Sequence, residues 1–357
     1  MLKPLKNSQK VSIQKNSKKY LIIFACLVSL LITIWISLQF GALNIENTKI
    51  IDIILYHLGF DKDIYWTKIE SLIIWDMRLP RILLACFAGA GLAVSGVAMQ
   101  AAVKNPLADP YILGISAGAS TGATAVISLG FIDITKEYAV SLGAFAGAII
   151  SILILFLLNK QNRDSVRLLL SGCVIAILFS SISSTIMFMA KDKDKISSVV
   201  FWLMGSVADA DWLMVFMVFV SVVMGVFILI LYHRQLNAML LGEETAHTLG
   251  VNINKLRWQL VVLVALMIGI IVAFCGMIGF VGFVIPHIIR SIFGANHKIV
   301  VPISAFIGAI FLIYCDILAR TIVIPEELPI GIITSMLGAP FFMYILARNK
   351  HVFGGKK

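Results

Sequence analysis

The chain has 357 residues, of which 60% are hydrophobic and only 13% are charged, and its formal net charge is +10. Soluble domains carry roughly 25% charged residues, so this composition excludes a globule in water and predicts that most of the chain lies in lipid. Basic residues crowd the terminal segments 1–19 and 349–357, which we predict to be cytoplasmic tails. A nucleic-acid-binding N-terminal tail is the competing interpretation, and we expect no nucleic-acid partner.

Hydrophobic runs long enough to cross the bilayer, which takes roughly 20 residues, recur from residue 20 to residue 348. We predict about ten transmembrane helices at 20–40, 80–103, 111–131, 138–158, 167–190, 212–232, 258–276, 278–293, 299–320 and 330–347. The first run is too long for a signal peptide, so an uncleaved helix is expected. The predicted fold is therefore an all-α polytopic membrane protein with residues 20–348 as its transmembrane domain. Because the number of spans is even, both termini are predicted to be cytoplasmic.

The loops between the predicted spans follow the positive-inside rule, with three exceptions. Residues 41–77, which are rich in acidic side chains, are predicted to lie outside. The loops predicted to lie inside each carry at least one basic residue, and they are 104–110, 159–166, 233–257 and the short turn 291–298, next to Arg290. Arg78, Arg81 and Arg320 fall on the outer side against the rule, which makes them candidate functional residues.

Small residues recur at helical spacing within several spans. Gly118-x-x-x-Gly122 and Gly143-x-x-x-Gly147 have the spacing that lets helix backbones touch in lipid. The pattern predicts a compact helical bundle. An inverted repeat of five helices is common among transporters, but no residue-level repeat supports one here.

The chain carries no motif with which to supply its own energy. It contains no GxxxxGK[ST] loop, no HExxH and no pair of acidic residues deep in the spans. Five cysteines lie in hydrophobic runs without metal-ligand spacing: Cys26, Cys86, Cys173, Cys275 and Cys315. We expect no catalytic residue, no metal site and no cofactor on this chain, and any energy source is expected on another subunit.

Seven stretches occur in an order that is typical of one transporter family. They are "RLPRILLACFAGAGLAVSGVAMQAAVKNPLADPYILGISAGAS" (78–120), "RLLLSG" (167–172), "FWLMGS" (201–206), "LGEETAHTLGVN" (241–252), "GMIGFVGFVIPHIIR" (276–290), "CDILAR" (315–320) and "ELPIGIITSMLGAPFFMYIL" (327–346). Together they resemble the permease subunits of type II ABC importers for iron-siderophores, haem and vitamin B12. The resemblance implies a ten-helix permease like that of the vitamin B12 importer, in the bacterial plasma (inner) membrane.

The turn Asn105-Pro-Leu-Ala-Asp-Pro110 is the first candidate site. Each proline removes a backbone donor, and each disfavours the helical conformation in the residue before it. A rigid helix connection is the simpler interpretation. The resemblance implies in addition a cytoplasmic gate at Asn105 and Leu107, with a second gating layer at Asp164 and Ser165.

The segment 241–252 is the second candidate site. It reads as a short helix that begins with acidic residues, as the helix dipole favours, and ends at Gly250. A solvated amphipathic loop is the alternative. The resemblance implies that this segment docks on an ATPase and converts nucleotide closure into helix movement. The candidate coupling residues are Gly242, Glu243, Ala246, Leu249 and Gly250.

The outward arginines are the third candidate site. The resemblance implies that Arg78, Arg81 and Arg320 hold carboxylates of an extracellular or periplasmic binding protein, a role that suits the planar guanidinium. For Arg320 the alternative is an intrahelical pair with Asp316, four residues earlier.

Several polar residues within the spans have ordinary structural explanations. His287 has no nearby ligand partner in the sequence, so a packed histidine is expected. Gln100 and the serines of 180–184 line a transport path or form interhelical hydrogen bonds, and the sequence leaves both interpretations open. Pro286 with the glycines of 276–282 predicts an interrupted helix.

These observations predict the permease subunit of an ABC importer for a metal chelate, with ferric siderophore first and haem or cobalamin behind it. The expected partners are cytosolic ABC ATPase subunits, which bind ATP and Mg, a substrate-binding protein, a second permease copy or paralogue, and the lipid bilayer. An ion-driven secondary transporter is the alternative, although such proteins usually carry ionisable groups near the midplane. A structural or receptor membrane protein is the third possibility.

Overall fold

The computed structural model describes residues 4–41, 43–130, 138–160, 164–190 and 192–348. The predicted tail at 349–357 and the first three residues of the tail at 1–19 lie outside these ranges. Within them the chain forms fifteen α-helices and no β-strand. The first eight are α1 (Pro4–Gln39), α2 (Asn47–His57), α3 (Lys68–Leu72), α4 (Leu79–Val103), α5 (Ile115–Leu129), α6 (Ala139–Leu158), α7 (Ser165–Met189) and α8 (Lys193–Leu203). The others are α9 (Trp212–Leu231), α10 (His233–Leu240), α11 (Glu243–Thr248), α12 (Ile253–Cys275), α13 (Val281–Phe293), α14 (His297–Thr321) and α15 (Ile330–Arg348).

Ten of these helices are the predicted hydrophobic spans. Seven are long and apolar enough to cross a membrane, namely α1, the continuous helix α3–α4, α6, α7, α9, α12 and α14. Three shorter apolar helices, α5, α13 and α15, bring the number to ten (7 + 3) among the described residues. The predicted all-helical polytopic fold is confirmed.

Some boundaries differ from the predicted ones. The second span begins at Lys68 and not at residue 80, because α3 and a π-helical turn at Ile73–Arg78 continue into α4. A capping box starts this extension: the Thr67 side chain accepts from the Glu70 N–H, and the Glu70 carboxylate accepts from the Thr67 N–H. The loop predicted at 41–77 also contains α2, which packs against the π-helical turn.

The two shortest of the ten spans start inside the bundle. The α5 helix begins at Ile115, after a 3-10 turn at Pro110–Leu113, and α13 begins after a non-helical break at 276–280. The Tyr111 hydroxyl donates to the Ile278 carbonyl (3.0 Å) and accepts from its N–H (3.1 Å), so the two irregular segments satisfy each other. Irregular backbone at membrane depth requires such internal partners. The predicted interruption lies at 276–280, which contains Gly276 and Gly279, whereas Pro286 lies inside the continuous helix α13.

Glycine contacts hold the helices together at close distance. Gly118 lies against Gly147, and Gly122 lies against Gly143, so the two small-xxx-small motifs pair with each other across α5 and α6. A methyl group at Gly122 would overlap the Gly143 carbonyl. The predicted close packing of these motifs is confirmed, and it places the backbones of α5 and α6 in direct contact.

The connections between helices gather at two ends of the bundle. The Arg81 end comprises 43–78, 192–211 and 322–329, and the Asn105 end comprises 104–109, 232–252 and 294–296. Between the two ends runs α4, the most deeply buried span, with 89% of its most apolar stretch buried. Helices α9, α12, α13 and α14 pack around it. That the Asn105 end faces the cytoplasm remains a prediction from the charge pattern.

Candidate docking, gate and coupling sites

Arg78 is buried at the Arg81 end, with only 5% of its surface exposed. Its guanidinium donates to the backbone carbonyl of Leu38 (2.8 Å) and to that of Leu43. Arg78 therefore ties the end of α1 and the segment after it to the helix α3–α4. In this conformation it is not displayed for a partner.

Arg81 and Arg320 converge on one buried carboxylate. Arg81 Nε lies 2.8 Å from Asp316 Oδ1, and Arg320 Nη2 lies 2.9 Å from Asp316 Oδ2. The Asp316 side chain is 1% exposed, and those of Arg81 and Arg320 are 11% and 6% exposed. The pair Arg320–Asp316 is the intrahelical contact that the sequence offered as the alternative for Arg320. It exists here together with the Arg81 contact, which no sequence spacing indicates.

A second carboxylate reaches Arg81 from the surface. Glu327, which is 43% exposed, places Oε2 2.7 Å from Arg81 Nη1. Arg320 also donates to the Phe40 carbonyl (3.0 Å) and the Ser37 hydroxyl (2.9 Å). Of the three arginines, Arg81 is thus the one that forms an ion pair with an exposed carboxylate, that of Glu327.

The turn after α4 is fixed by side-chain hydrogen bonds as well as by its prolines. Lys104 ends α4 in the left-handed conformation, with φ 56°. The Asn105 Oδ1 atom accepts from the Leu107 N–H (2.9 Å), and Asp109 Oδ1 accepts from the Tyr111 N–H (2.8 Å). Asp109 is extended, as expected before a proline. A rigid connection is what the structure shows, and the gate role of Asn105 and Leu107 remains a prediction.

Leu107 borders an aromatic cavity of about 310 Å³. Its other walls come from Tyr111 in the same turn, from the break before α13 and from α15, and they are Asp109, Gly279, Phe280, Phe283 and Phe342. Phe280 has φ 68°, a conformation that is unusual and strained for a bulky residue. The candidate gate residue therefore packs beside the interrupted helix.

The second predicted gating layer lies at the start of α7. Asp164 precedes the helix with extended backbone, and Ser165 is its first residue. The flanking residues 161–163 lie outside the described part of the chain. The structure places Asp164 and Ser165 at the same end of the bundle as Asn105, and their role stays a prediction.

The segment 241–252 contains the predicted short helix. The α11 helix carries Glu243 in its first turn, and left-handed Gly250 (φ 81°) follows it. Gly242, at φ 108°, starts it. Ala246 is buried, whereas Leu249 is 62% exposed. The helix is confirmed, and its apolar tip is displayed as a docking role would require.

Glu243 connects this helix to the turn after α4. Its Oε1 atom lies 3.0 Å from Lys104 Nζ and 3.0 Å from Arg257 Nη2. Arg257 is buried and donates from Nε to the Ala102 carbonyl (2.9 Å), at the end of α4. The hydrogen bond from Lys104, with the nearby Arg257, holds the pKa of the Glu243 carboxyl below its ordinary value. Sequence reasoning missed Lys104 and Arg257, because contacts between such distant residues leave no local pattern.

Some polar residues within the spans form interhelical hydrogen bonds, which was one of the two interpretations. That the others line a transport path remains a prediction. Gln100 accepts a hydrogen bond from Arg290 across α4 and α13, and Ser183 donates to Thr124 (3.0 Å) across α7 and α5. Ser180, Ser181 and Ser184 are exposed on α7. His287 lies on α13, and no group of three or more His, Cys, Asp or Glu residues in the described part of the chain is placed to hold a metal.

A close-packed bundle of ten hydrophobic helices, with half-length helices meeting inside it and an ion-paired segment at one end, has the architecture of a polytopic transport permease. The sequence profile of the FecCD transport family matches residues 29–348. The chain belongs to this family, and it is the permease subunit of an ABC importer. The predicted family resemblance is confirmed.

Named relatives cover most of the chain. It is 40% identical over 287 residues to the hemin transport system permease protein HmuU of Yersinia pestis, covering 79% of this chain and 85% of that protein. It is 34% identical over 340 residues to the Fe(3+)-citrate import system permease protein YfmD of Bacillus subtilis, covering 95% and 98%. A solved inward-facing conformation of a metal-chelate type ABC transporter has a TM-score of 0.80 and 32% identity, and covers 92% of this chain and 99% of the other.

Proposed function

We propose that this chain imports a metal chelate, with ferric siderophore as the first candidate and haem or cobalamin as the others. Similarity to permeases named for hemin and for Fe(3+)-citrate supports a chelate as the cargo. We place the chain in the bacterial plasma membrane as a multi-pass subunit, with the Asn105 end in the cytoplasm. ATP and Mg would be bound by cytosolic ATPase subunits, and this chain would make or break no bond.

A second permease copy or paralogue would complete the transport pathway along α7. This helix buries only 22% of its most apolar stretch, and it packs mainly on α5 through one stripe that includes Phe179 and Ser183. The opposite face displays Ser180, Ser181 and Ser184. Ile177, Leu178 and Ile182 are exposed beside these serines. A second subunit that covers α7 would pack on these apolar side chains and would keep the hydroxyl groups away from the lipid tails.

Coupling to the ATPases would run through Glu243, and this contact is the observation that carries the proposal. Glu243 lies in the helix that displays Leu249, and its carboxylate binds Lys104, the residue directly before Asn105. Arg257 holds the same carboxylate and the end of α4. A displacement of α11 by a docked ATPase would therefore be passed to the turn that bears Asn105 and Leu107.

The test compares two neighbouring glutamates in the assembled importer, reconstituted with its ATPase and binding protein. Glu243→Gln removes the charge that binds Lys104 and Arg257, and we expect several-fold less chelate imported per ATP hydrolysed. Glu244→Gln is the matched control, because Glu244 is exposed on the same helix and forms no ion pair within the described residues. Equal import per ATP in both variants would contradict the coupling role. Leu249→Asp should impair docking of the ATPase itself.

The binding protein would dock at the Arg81 end. We propose that a partner carboxylate takes the place of Glu327 on Arg81, while Arg78 and Arg320 hold the surrounding backbone. Glu327→Gln frees one side of the Arg81 guanidinium and should strengthen docking several-fold at physiological salt. Arg81→Lys keeps the charge but loses the planar fork, and it should weaken docking. A docking affinity that neither substitution changes would rule out Arg81 as the contact.

The ion-driven alternative is tested with the same protein, reconstituted without ATPase subunits. Under an ion gradient we expect no uphill uptake of the chelate. Uptake driven by the gradient alone would favour the secondary transporter.

A further inference from the structure

A polar cavity lies at the Asn105 end between α10 and the start of α12. Its volume is about 590 Å³. The polar part of its lining comprises Tyr232, Arg234, Gln235, Asn252, Lys255 and Gln259. None of its lining residues is acidic. The cavity thus presents hydrogen-bond donors and positive charge without a carboxylate to neutralise them.

The two basic residues of this cavity have no ionic partner in the part of the chain that the structure describes. Arg234 and Lys255 are both exposed, and neither forms an ion pair within the ranges that the structure describes. This contrasts with Lys104 and Arg257 nearby, which share Glu243. An anionic group of suitable size would find two cations and several amide groups in one place.

The position of the cavity beside the ends of two spans leads us to expect it at the level of the lipid headgroups. Tyr232 directly follows α9, a span of 20 residues, and tyrosine is favoured at the membrane–water boundary. Gln259 lies in the second turn of the α12 span, on the bilayer side of Lys255. Ala238 and Leu256 supply apolar wall at the same place. A ligand here would meet water at one side and the hydrocarbon boundary at the other.

We propose that this cavity binds the phosphodiester headgroup of an anionic phospholipid, with phosphate on Arg234 and Lys255 and the upper acyl chain beside Leu256. Basic pockets between spans are suited to such headgroups. Free phosphate shares the ionic chemistry but would gain nothing from the apolar wall. Because Leu249 and Gly250 also border the cavity, a bound lipid would touch the segment that carries the proposed coupling contacts. Lipid binding itself does not depend on that coupling.

The experiment measures lipid binding by the assembled importer in nanodiscs of defined composition. We expect phosphatidylglycerol to be retained over phosphatidylcholine of the same chains by roughly an order of magnitude. The double variant Arg234→Gln with Lys255→Gln should lose this preference. Lys298→Gln is the control, since Lys298 is exposed at the same end but outside the cavity, and it should keep the preference. Thermal unfolding of each variant checks that the fold is intact.

Four outcomes would overturn the proposal. The first is equal retention of the two lipids by the unchanged protein, and the second is a preference that survives in the double variant. The third is displacement of phosphatidylglycerol by millimolar inorganic phosphate, which would make this a site for a free anion. A preference that appears in the isolated permease and disappears on assembly with the ATPase would assign the cavity to the subunit interface instead.

Discussion

Both ends of the bundle carry a carboxylate held by two basic residues, but the surroundings of the two carboxylates are opposite. At the Arg81 end, Asp316 is 1% exposed and its partners Arg81 and Arg320 are nearly as buried. At the Asn105 end, Glu243 is 50% exposed and its partner Lys104 is 31% exposed, whereas its second partner, Arg257, is 5% exposed. The first group joins two long spans, α4 and α14, whereas the second joins a six-residue helix to a turn and to the start of α12.

This difference indicates which end is built to move. Separating a buried ion pair leaves a charge without solvent or partner and is strongly unfavourable. The exposed Glu243–Lys104 pair exchanges its partner for water at little cost, and the buried Arg257 keeps its hydrogen bond to the Ala102 carbonyl when the half-exposed Glu243 carboxylate leaves. We therefore expect the Arg81 network to act as a fixed frame, and we expect the proposed coupling contact of Glu243 to break and re-form during transport. Three predictions test this comparison.

The largest effect is expected at Asp316. Asp316→Asn leaves Arg81 and Arg320 buried beside a neutral amide, and removing one member of a buried ionic group typically costs about 3–5 kcal/mol. We expect a loss of this order in the free energy of unfolding, measured by denaturant titration in detergent. The matched control is Glu327→Gln, which removes an exposed partner of the same arginine and should cost less than about 1 kcal/mol. Similar losses in both variants would contradict the fixed frame.

A smaller effect is expected at Arg78. Its substitution by Gln removes charged hydrogen bonds to the carbonyls of Leu38 and Leu43, each typically worth about 1.5–3 kcal/mol. Because a shorter amide and water replace part of these contacts, we expect a net loss of about 2 kcal/mol in the same titration. The end of α1 should also become more accessible to protease. A variant as stable and as protected as the original would show that α1 is anchored by other contacts.

The sequence predicted the architecture better than the sites. Ten spans follow from hydropathy, because a hydrophobic helix in lipid leaves a continuous local pattern. The spacing of Thr67 and Glu70 also fits a capping box. The second span was nevertheless predicted to begin at residue 80 and not at Lys68, because its longest apolar run starts later. The contacts of Arg81 with Asp316 and of Lys104 with Glu243 join residues 235 and 139 positions apart. No local spacing encodes these contacts. Only the fold shows which arginines are buried and which carboxylate connects α11 to the turn after α4.

The smallest effect on stability is expected at Glu243. Its pKa is held below the ordinary value by Lys104 and Arg257, so the bridge contributes above the ordinary carboxyl pKa of about 4.3 and is lost only as the pH falls through the lowered one. Between about pH 5 and 8 the charge is therefore constant. Because Lys104 is exposed and the buried Arg257 keeps its hydrogen bond to the Ala102 carbonyl, Glu243→Gln should lower the free energy of unfolding by about 1 kcal/mol throughout, well below the loss expected for Asp316→Asn.

The same substitution is expected to reduce chelate imported per ATP several-fold, and this separation of stability from coupling distinguishes a moving contact from a structural one. Denaturant titration at both pH limits, beside transport and ATPase assays, measures the two quantities on one protein. If Glu243→Gln lowered the free energy of unfolding as much as Asp316→Asn, the Glu243 contacts would be part of the fixed frame. A movement of α11 would then have to reach the turn after α4 by another route.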